Sequence, residues 1–182
     1  VACEAIFRGN TGAYFTHASG VPFTTGAWLA GMYKFDALKY QGENYFTNLA
    51  PSGAYRGYGN PQTNFVLEQL IDRACQELEL DPVKWRAKWS KGKGDDCWII
   101  GVPYSSGELP ECLRLGAEAI EWNEKREKYA KQTGTKRRGV GVAVMNHTSG
   151  ASPMLLEHTF CTIMLNEDAS AIVSIGCSDI GK

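Results

Sequence analysis

The chain has 182 residues, 19 Lys+Arg against 20 Asp+Glu for a formal net charge of −1, and 43 % hydrophobic against 21 % charged residues. That balance argues against a nucleic-acid partner, which needs clustered positive charge, and the apolar share is enough to fill a core and too high for a disordered chain. No window approaches 18 uninterrupted apolar residues and Val1-Ala2-Cys3-Glu4 lacks a charged n-region, so neither a membrane span nor a secretory signal is expected.

Residues 1–16 alternate β-branched and aromatic residues with Gly9-Asn10 and Gly12, which reads as strand, turn, strand. The glycine-punctuated stretch 20–31 reads as irregular, with room for one helical turn, and residues 40–49 as a further strand. After Pro61, Leu67, Leu70, Ile71, Ala74 and Leu78 recur at helical spacing and predict an amphipathic helix of about five turns. Asp81-Pro82 supplies an N-cap and a first-turn proline for a second, short helix through Val83, Trp85 and Trp89. Residues 91–106 form a long connection. Residues 108–133 read as one long helix with Leu109, Leu113, Ala117 and Ile120 on one face and a solvated charged end at 124–131. Three strand-like runs follow, at 139–145, 155–165 and 169–176. The expected class is α+β, mixed sheets with packed helices.

The six cysteines include no Cys-x-x-Cys pair, and half fall in apolar periodic segments, so buried, reduced thiols and a cytoplasmic location are expected. His17, His147 and His158 are scattered without ligand spacing and read as structural. The most unusual stretch is the string GAYRGYGNPQ at 53–62, between a strand and a helix. Gly57 and Gly59 leave room for close approach of a ligand, and the following helix turns its positive end to the same space. A tyrosine-flanked turn that merely packs is the other reading. The string is neither a phosphate-binding P-loop nor a dinucleotide fingerprint.

With Phe46-Thr47-Asn48 before it and Leu67-Glu68 and Ile71-Asp72 after it, the same string closely resembles the molybdopterin-binding subunit of the xanthine dehydrogenase / aldehyde oxidase family. Further matches follow in order: Asp81-Pro82-Val83 with Arg86, Arg138-Gly139-Val140-Gly141-Val142-Ala143, and Gly176 with Asp179-Ile180-Gly181. The likeness runs from Gly12-Ala13-Tyr14 to Gly181. It divides the chain into 1–90, the first part of the molybdopterin-binding region with the loop and its helices; 91–137, a connection and long helix; and 138–182, strands leading into a second pterin-contact loop.

The resemblance implies hydroxylation, or its reductive reverse, at an electron-poor carbon of an aromatic, heterocyclic or aldehyde substrate. It implies a molybdenum-pterin cofactor (molybdopterin or its cytosine dinucleotide form), with iron-sulfur clusters and FAD on partner chains or domains. It also implies that this chain is a fragment. The family's upstream Gly-Gly-x-Phe-Gly-Gly segment and downstream catalytic glutamate do not occur in it, so no catalytic residue is expected here and the partners are the remainder of the molybdenum subunit, an iron-sulfur subunit and a flavin subunit. Carried over by position, Ala54, Tyr55, Arg56, Gly57, Ile180 and Gly181 become cofactor contacts, with Arg56 against the metal. Tyr58, Thr24, Ala151 and Ser152 become substrate contacts. Thr24 stands where purine-oxidising members have an arginine and Ala151 where they have a stacking phenylalanine, which implies a substrate other than a purine. Lys182 replaces a pterin-binding glutamine. The alternatives are a buried ion pair for Arg56, core packing for Tyr58 and Ile180, and, for the whole chain, a non-catalytic scaffold or assembly partner that binds no molybdenum.

Overall fold

The computed structural model describes residues 1–97, 101–147 and 159–176. They fall into two compact units, Val1–His147 and Thr148–Lys182. Helices and strands are both present, as an α+β chain requires, and among the described residues the strands form three two-stranded sheets, one parallel and two antiparallel, none of them mixed. Among the described residues no helix is long and apolar enough to cross a membrane.

The first unit opens with β1 (Ala2–Gly12), α1 (Val21–Met32) and β2 (Ala37–Phe46). β1 and β2 pair in parallel from Ala2↔Ala37 to Gly12↔Phe46, with a bulge between Asn10 and Gly12, and the crossover that parallel strands require carries α1. The turn expected at Gly9-Asn10 is absent, since both residues belong to the ladder. Gly9 is small because a Cβ there would lie 2.4 Å from Asn44 Oδ1 on the neighbouring strand. The stretch read as irregular is instead the twelve-residue helix α1. Its Thr25, Ala27, Trp28, Leu29 and Met32 are buried around most of its circumference, so no amphipathic period marks it in the sequence. Gly26 admits the Tyr40 ring, which a Cβ would meet at 2.6 Å, and the Tyr40 hydroxyl donates to the Pro22 carbonyl at 2.6 Å.

α2 (Asn60–Glu77) and α3 (Pro82–Trp89) form as the spacing predicts. Leu67, Ile71 and Cys75 of α2 meet Leu29, Met32 and Tyr33, with Leu113 and Val144, in the main core. The Asp81 carboxylate caps α3 by accepting from the backbone N–H groups of Val83 at 2.8 Å and Lys84 at 2.9 Å. The 91–106 connection contains a minimal antiparallel pair, β3 (Asp96–Cys97) with β4 (Val102–Pro103), and Tyr104 pins it to α1 by donating to the Gly31 carbonyl at 2.9 Å.

The single long helix expected at 108–133 is two, α4 (Leu109–Ala119) and α5 (Trp122–Ala130). Glu121 breaks it with φ +56, and the break lets the buried Trp122 donate its indole N–H to Asp81 Oδ2 at 3.1 Å while Leu113 stays in the core. The strand expected at 139–145 has no ladder partner among the described residues, although burial alternates, with Val142 half-buried and Val144 buried between exposed Gly141, Ala143 and Met145. In the second unit, β5 (Cys161–Leu165) and β6 (Ala171–Ile175) form an antiparallel hairpin closed around residues 166–170. The first part of the run read as a strand from 155 lies outside the described residues.

Candidate functional site

α2 is fixed from below by a buried carboxylate. Glu68 Oε1 accepts from the Tyr33 hydroxyl at 2.6 Å, and Oε2 accepts from Arg86 Nε at 2.7 Å and from the Val144 backbone N–H at 2.9 Å. Arg86, fully buried, also pairs with Asp72 at 2.8 Å and donates to the Pro82 and Glu68 carbonyls at 3.2 Å each. Burial alone would lower the Arg86 pKa, but its bonds to Glu68 and Asp72 more than offset that and raise it. Burial, reinforced by the Glu68 hydrogen bond, pushes the Tyr33 hydroxyl up. Both charges in this hub have partners of opposite character, which a buried charge requires. Glu68, Asp72 and Arg86 belong to the motifs that carried the family resemblance. Their joint role as a hub was not legible there, because the partners come from Tyr33 just past α1, from α2 and α3, and from the 139–145 segment.

Beyond Leu49, which accepts from the Ala13 N–H at 3.1 Å, the loop between β2 and α2 is held at both ends of its 53–56 stretch. At one end the Ser52 N–H donates to Thr11 O at 3.1 Å, the Ser52 hydroxyl to Asn10 O, and the Thr16 hydroxyl to Ser52 O at 2.6 Å. At the other, the Asn60 N–H donates to Gly57 O at 2.9 Å and the Tyr58 hydroxyl to His17 O. Four consecutive residues, Arg56, Gly57, Tyr58 and Gly59, have φ of +42, +84, +32 and +89. Two of them are not glycine, and such stored strain concentrates at functional sites.

Gly57 and Gly59 have reasons internal to the chain. A Cβ on Gly57 would lie 2.7 Å from the Pro61 ring, and one on Gly59 would lie 2.6 Å from Thr24 Oγ1 and 3.0 Å from Thr25 N. The room for close approach that the sequence suggested at these two positions is thus filled by the protein itself. The open glycine is Gly53, with nothing within 4 Å of its would-be Cβ. Between the anchors Ala54, Tyr55 and Arg56 are exposed, and Arg56 makes no ion pair or hydrogen bond among the described residues. The buried ion-pair arginine of this fold is Arg86, not Arg56.

Tyr55, Arg56, Tyr58 and Gln62, with Gly53 and Val21, border an open cavity of about 440 Å³. Its lining contains no carboxylate, and α2 starts beside it without a side-chain cap. Tyr58 is half-buried, its hydroxyl against Gly20. Thr24 stands behind Gly59 and spends its hydroxyl on the Val21 and Gly20 carbonyls at 3.0 and 3.3 Å, so it does not border the cavity. Ala151, Ser152, His158, Ile180, Gly181 and Lys182 lie outside the described residues. The His147 ring packs on Trp28, centroids 4.9 Å apart, and no cluster of His, Cys, Asp or Glu among the described residues could hold a metal. Five described cysteines are free thiols, and of these Cys75 and Cys97 are buried while Cys112 and Cys161 are exposed, against the expectation of uniform burial.

Two family profiles described as a molybdopterin cofactor-binding domain match residues 1–90 and 115–182. The chain belongs to this family. The xanthine dehydrogenase molybdenum-binding subunit of Escherichia coli O157:H7 is 36 % identical over 173 residues, 95 % of this chain and 23 % of the relative. A probable hypoxanthine oxidase of Escherichia coli strain K12 is 31 % identical over 99 % of this chain and 19 % of its own length. The chain therefore spans less than a quarter of the curated relatives it matches. Among solved structures, the aldehyde oxidoreductase of Desulfovibrio gigas shares the fold with a TM-score of 0.76 at 24 % identity, over 94 % of this chain and 18 % of that one. Quinoline 2-oxidoreductase of Pseudomonas putida 86 aligns with a TM-score of 0.61 at 27 % identity, over 72 % and 17 %.

The cavity suits the anionic pterin group for which the family is described. An unpaired guanidinium, the uncapped positive end of an 18-residue helix and the absence of any lining carboxylate all favour negative charge.

Proposed function

We propose that this molybdopterin-binding domain forms part of the cofactor cradle and of the substrate wall of a molybdenum hydroxylase. In this reading an iron-sulfur subunit and a flavin subunit carry electrons away and the remainder of the molybdenum subunit supplies the catalytic carboxylate. The observation that carries it is the loop itself: Gly53 to Arg56 is held out between two anchors, unpaired, over a cavity without acidic groups. Ala54, Tyr55, Arg56 and Gly57 would hold the molybdenum-pterin group, Arg56 nearest the metal; Ile180 and Gly181 remain cofactor contacts by the family resemblance alone. When bound, that group supplies two-electron hydroxylation chemistry at neutral pH. The chain's own part is to orient: Arg56 fixes negative charge, and the Tyr58 ring offers a flat apolar surface to a planar substrate. The free thiols support a reducing compartment such as the cytoplasm.

Metal and flavin analysis of the natively purified assembly tests this reading. Molybdenum, iron and FAD are expected together, and Arg56→Ala is expected to lower molybdenum content while leaving iron and FAD in place. Wild-type protein free of molybdenum would support the scaffold reading instead.

For the substrate, we propose an aromatic acid derivative, a non-purine heterocycle or an aldehyde. Position 24 offers no cation, and the Thr24 hydroxyl is spent within α1. A missing charge-assisted hydrogen bond weakens purine binding by roughly 1.5–3 kcal/mol. A purine substrate is the second reading, favoured by the names of the two bacterial relatives. Steady-state kcat/KM on a panel including xanthine and hypoxanthine decides between them.

A further inference from the structure

Asn60 is fully buried, one of the largest side chains to be so, and it is the first residue of α2 after the strained turn. Its backbone N–H closes that turn onto Gly57 O, its Nδ2 donates to the backbone carbonyl of Asn146, and its Oδ1 accepts from Asn64 Nδ2. The Asn146 carbonyl lies 86 residues away in sequence, on the segment that Glu68 fixes through the Val144 N–H. Two segments distant in sequence, the 139–147 stretch tied to the hub through Val144 and the start of α2, are therefore joined at the point where the loop ends.

We infer that Asn60 is a positioning residue for the loop that presents Ala54, Tyr55 and Arg56. This deepens the proposed function and rests on it for what the loop contacts, but the joint itself is a property of this chain. The 53–56 stretch of the loop is held from its two ends. The Ser52 anchor rests on three hydrogen bonds to β1 and the segment after it. The Gly57–Asn60 anchor rests on the Tyr58 hydroxyl, on Thr63, whose N–H and hydroxyl donate to the Gly59 carbonyl, and on the fully buried Asn60 side chain, which donates to the Asn146 carbonyl. Without that donor the strained φ values of Arg56 and Tyr58 are held by fewer constraints, and the loop relaxes while α2 does not, because α2 is packed through Leu67 and Ile71 and bonded through Glu68.

The test is amide hydrogen exchange in the full-length subunit carrying Asn60→Asp, which keeps shape and the acceptor toward Asn64 but cannot donate to the Asn146 carbonyl. Exchange of the 53–59 amides is expected to rise by roughly tenfold, the equivalent of one lost hydrogen bond, with 66–73 unchanged. Asn64→Ala, which removes only the donor to Asn60 Oδ1, is expected to leave the loop at the wild-type rate. Equal exchange in Asn60→Asp and wild type, faster exchange of 53–59 and 66–73 together, or an Asn64→Ala loop as fast as that of Asn60→Asp would each overturn the inference. Because exchange is read without the cofactor, failure of this joint is separate from a molybdenum-free wild type, which would count against the proposed function alone.

Discussion

Truncating Glu68 would take from the fully buried Arg86 guanidinium one of its two carboxylate partners, leaving Asp72, and would orphan the Tyr33 hydroxyl and the Val144 N–H. Glu68→Ala is therefore expected to cost about 3–5 kcal/mol, read as a fall in the urea midpoint of the full-length subunit. Glu68→Leu with Arg86→Met should cost less than Glu68→Ala alone, because no buried charge remains and Asp72, half exposed, keeps its water. Asp81 gives the pH dependence. Burial pushes its carboxyl up, but the Lys84 N–H, the Trp122 indole, the Val83 N–H and Arg126 outweigh burial and hold it below the usual aspartate range. Its stabilisation is thus present above the unfolded value near ~4 and lost as pH falls through the lower folded value. Asp81→Ala should cost about 1 kcal/mol at neutral pH, and its midpoint should converge on the wild type's in acid. A gap independent of pH would show that the carboxylate charge does not contribute.

Elements meet here through small residues as much as through large ones. The α1–β2 contact depends on Gly26 accepting the Tyr40 ring, so Gly26→Ala should destabilise by about 1–3 kcal/mol through overpacking, measured by the same midpoint. Gly57 illustrates why a glycine beside a site is a poor probe of ligand approach: its φ of +84 and the Pro61 ring make any larger residue unfavourable before a ligand is considered. Arg56→Ala leaves the backbone requirement at 57 and 59 untouched and is the cleaner test of cofactor contact.

At the scale of the whole molecule, large apolar side chains lie exposed in groups. Phe65, Val66 and Leu70 form an exposed row on α2, and Ile163, Leu165, Val173 and Ile175 lie exposed on β5 and β6. A two-stranded hairpin is marginal by itself, and apolar patches of this kind mark contact surfaces or aggregation. The chain spans 23 % of its xanthine dehydrogenase relative, which leaves ample polypeptide in such proteins to cover these faces. Residues 1–182 produced alone are expected to aggregate or melt without cooperativity, followed by size exclusion and thermal denaturation. A soluble monomer with a sharp transition would refute this.

Local chemistry decided several parts of this protein before any folding was considered. The spacing of Leu67, Ile71 and their neighbours set α2, Asp81-Pro82 set the start of α3, and the glycines and Pro61 marked the unusual turn at 53–62, because period, capping and φ preference act within a few residues. Tertiary structure alone decided the rest. α1 carries no helical stripe because neighbours cover it on most sides. The break at Glu121 exists for the sake of Trp122 reaching Asp81, and Gly9 sits in a strand because Asn44 needs the space. The hub of Glu68 and the joint of Asn60 to Asn146 link groups up to 76 and 86 residues apart, and no local preference encodes such a partner. Their energies come from burial and pairing that arise only once the helices have packed.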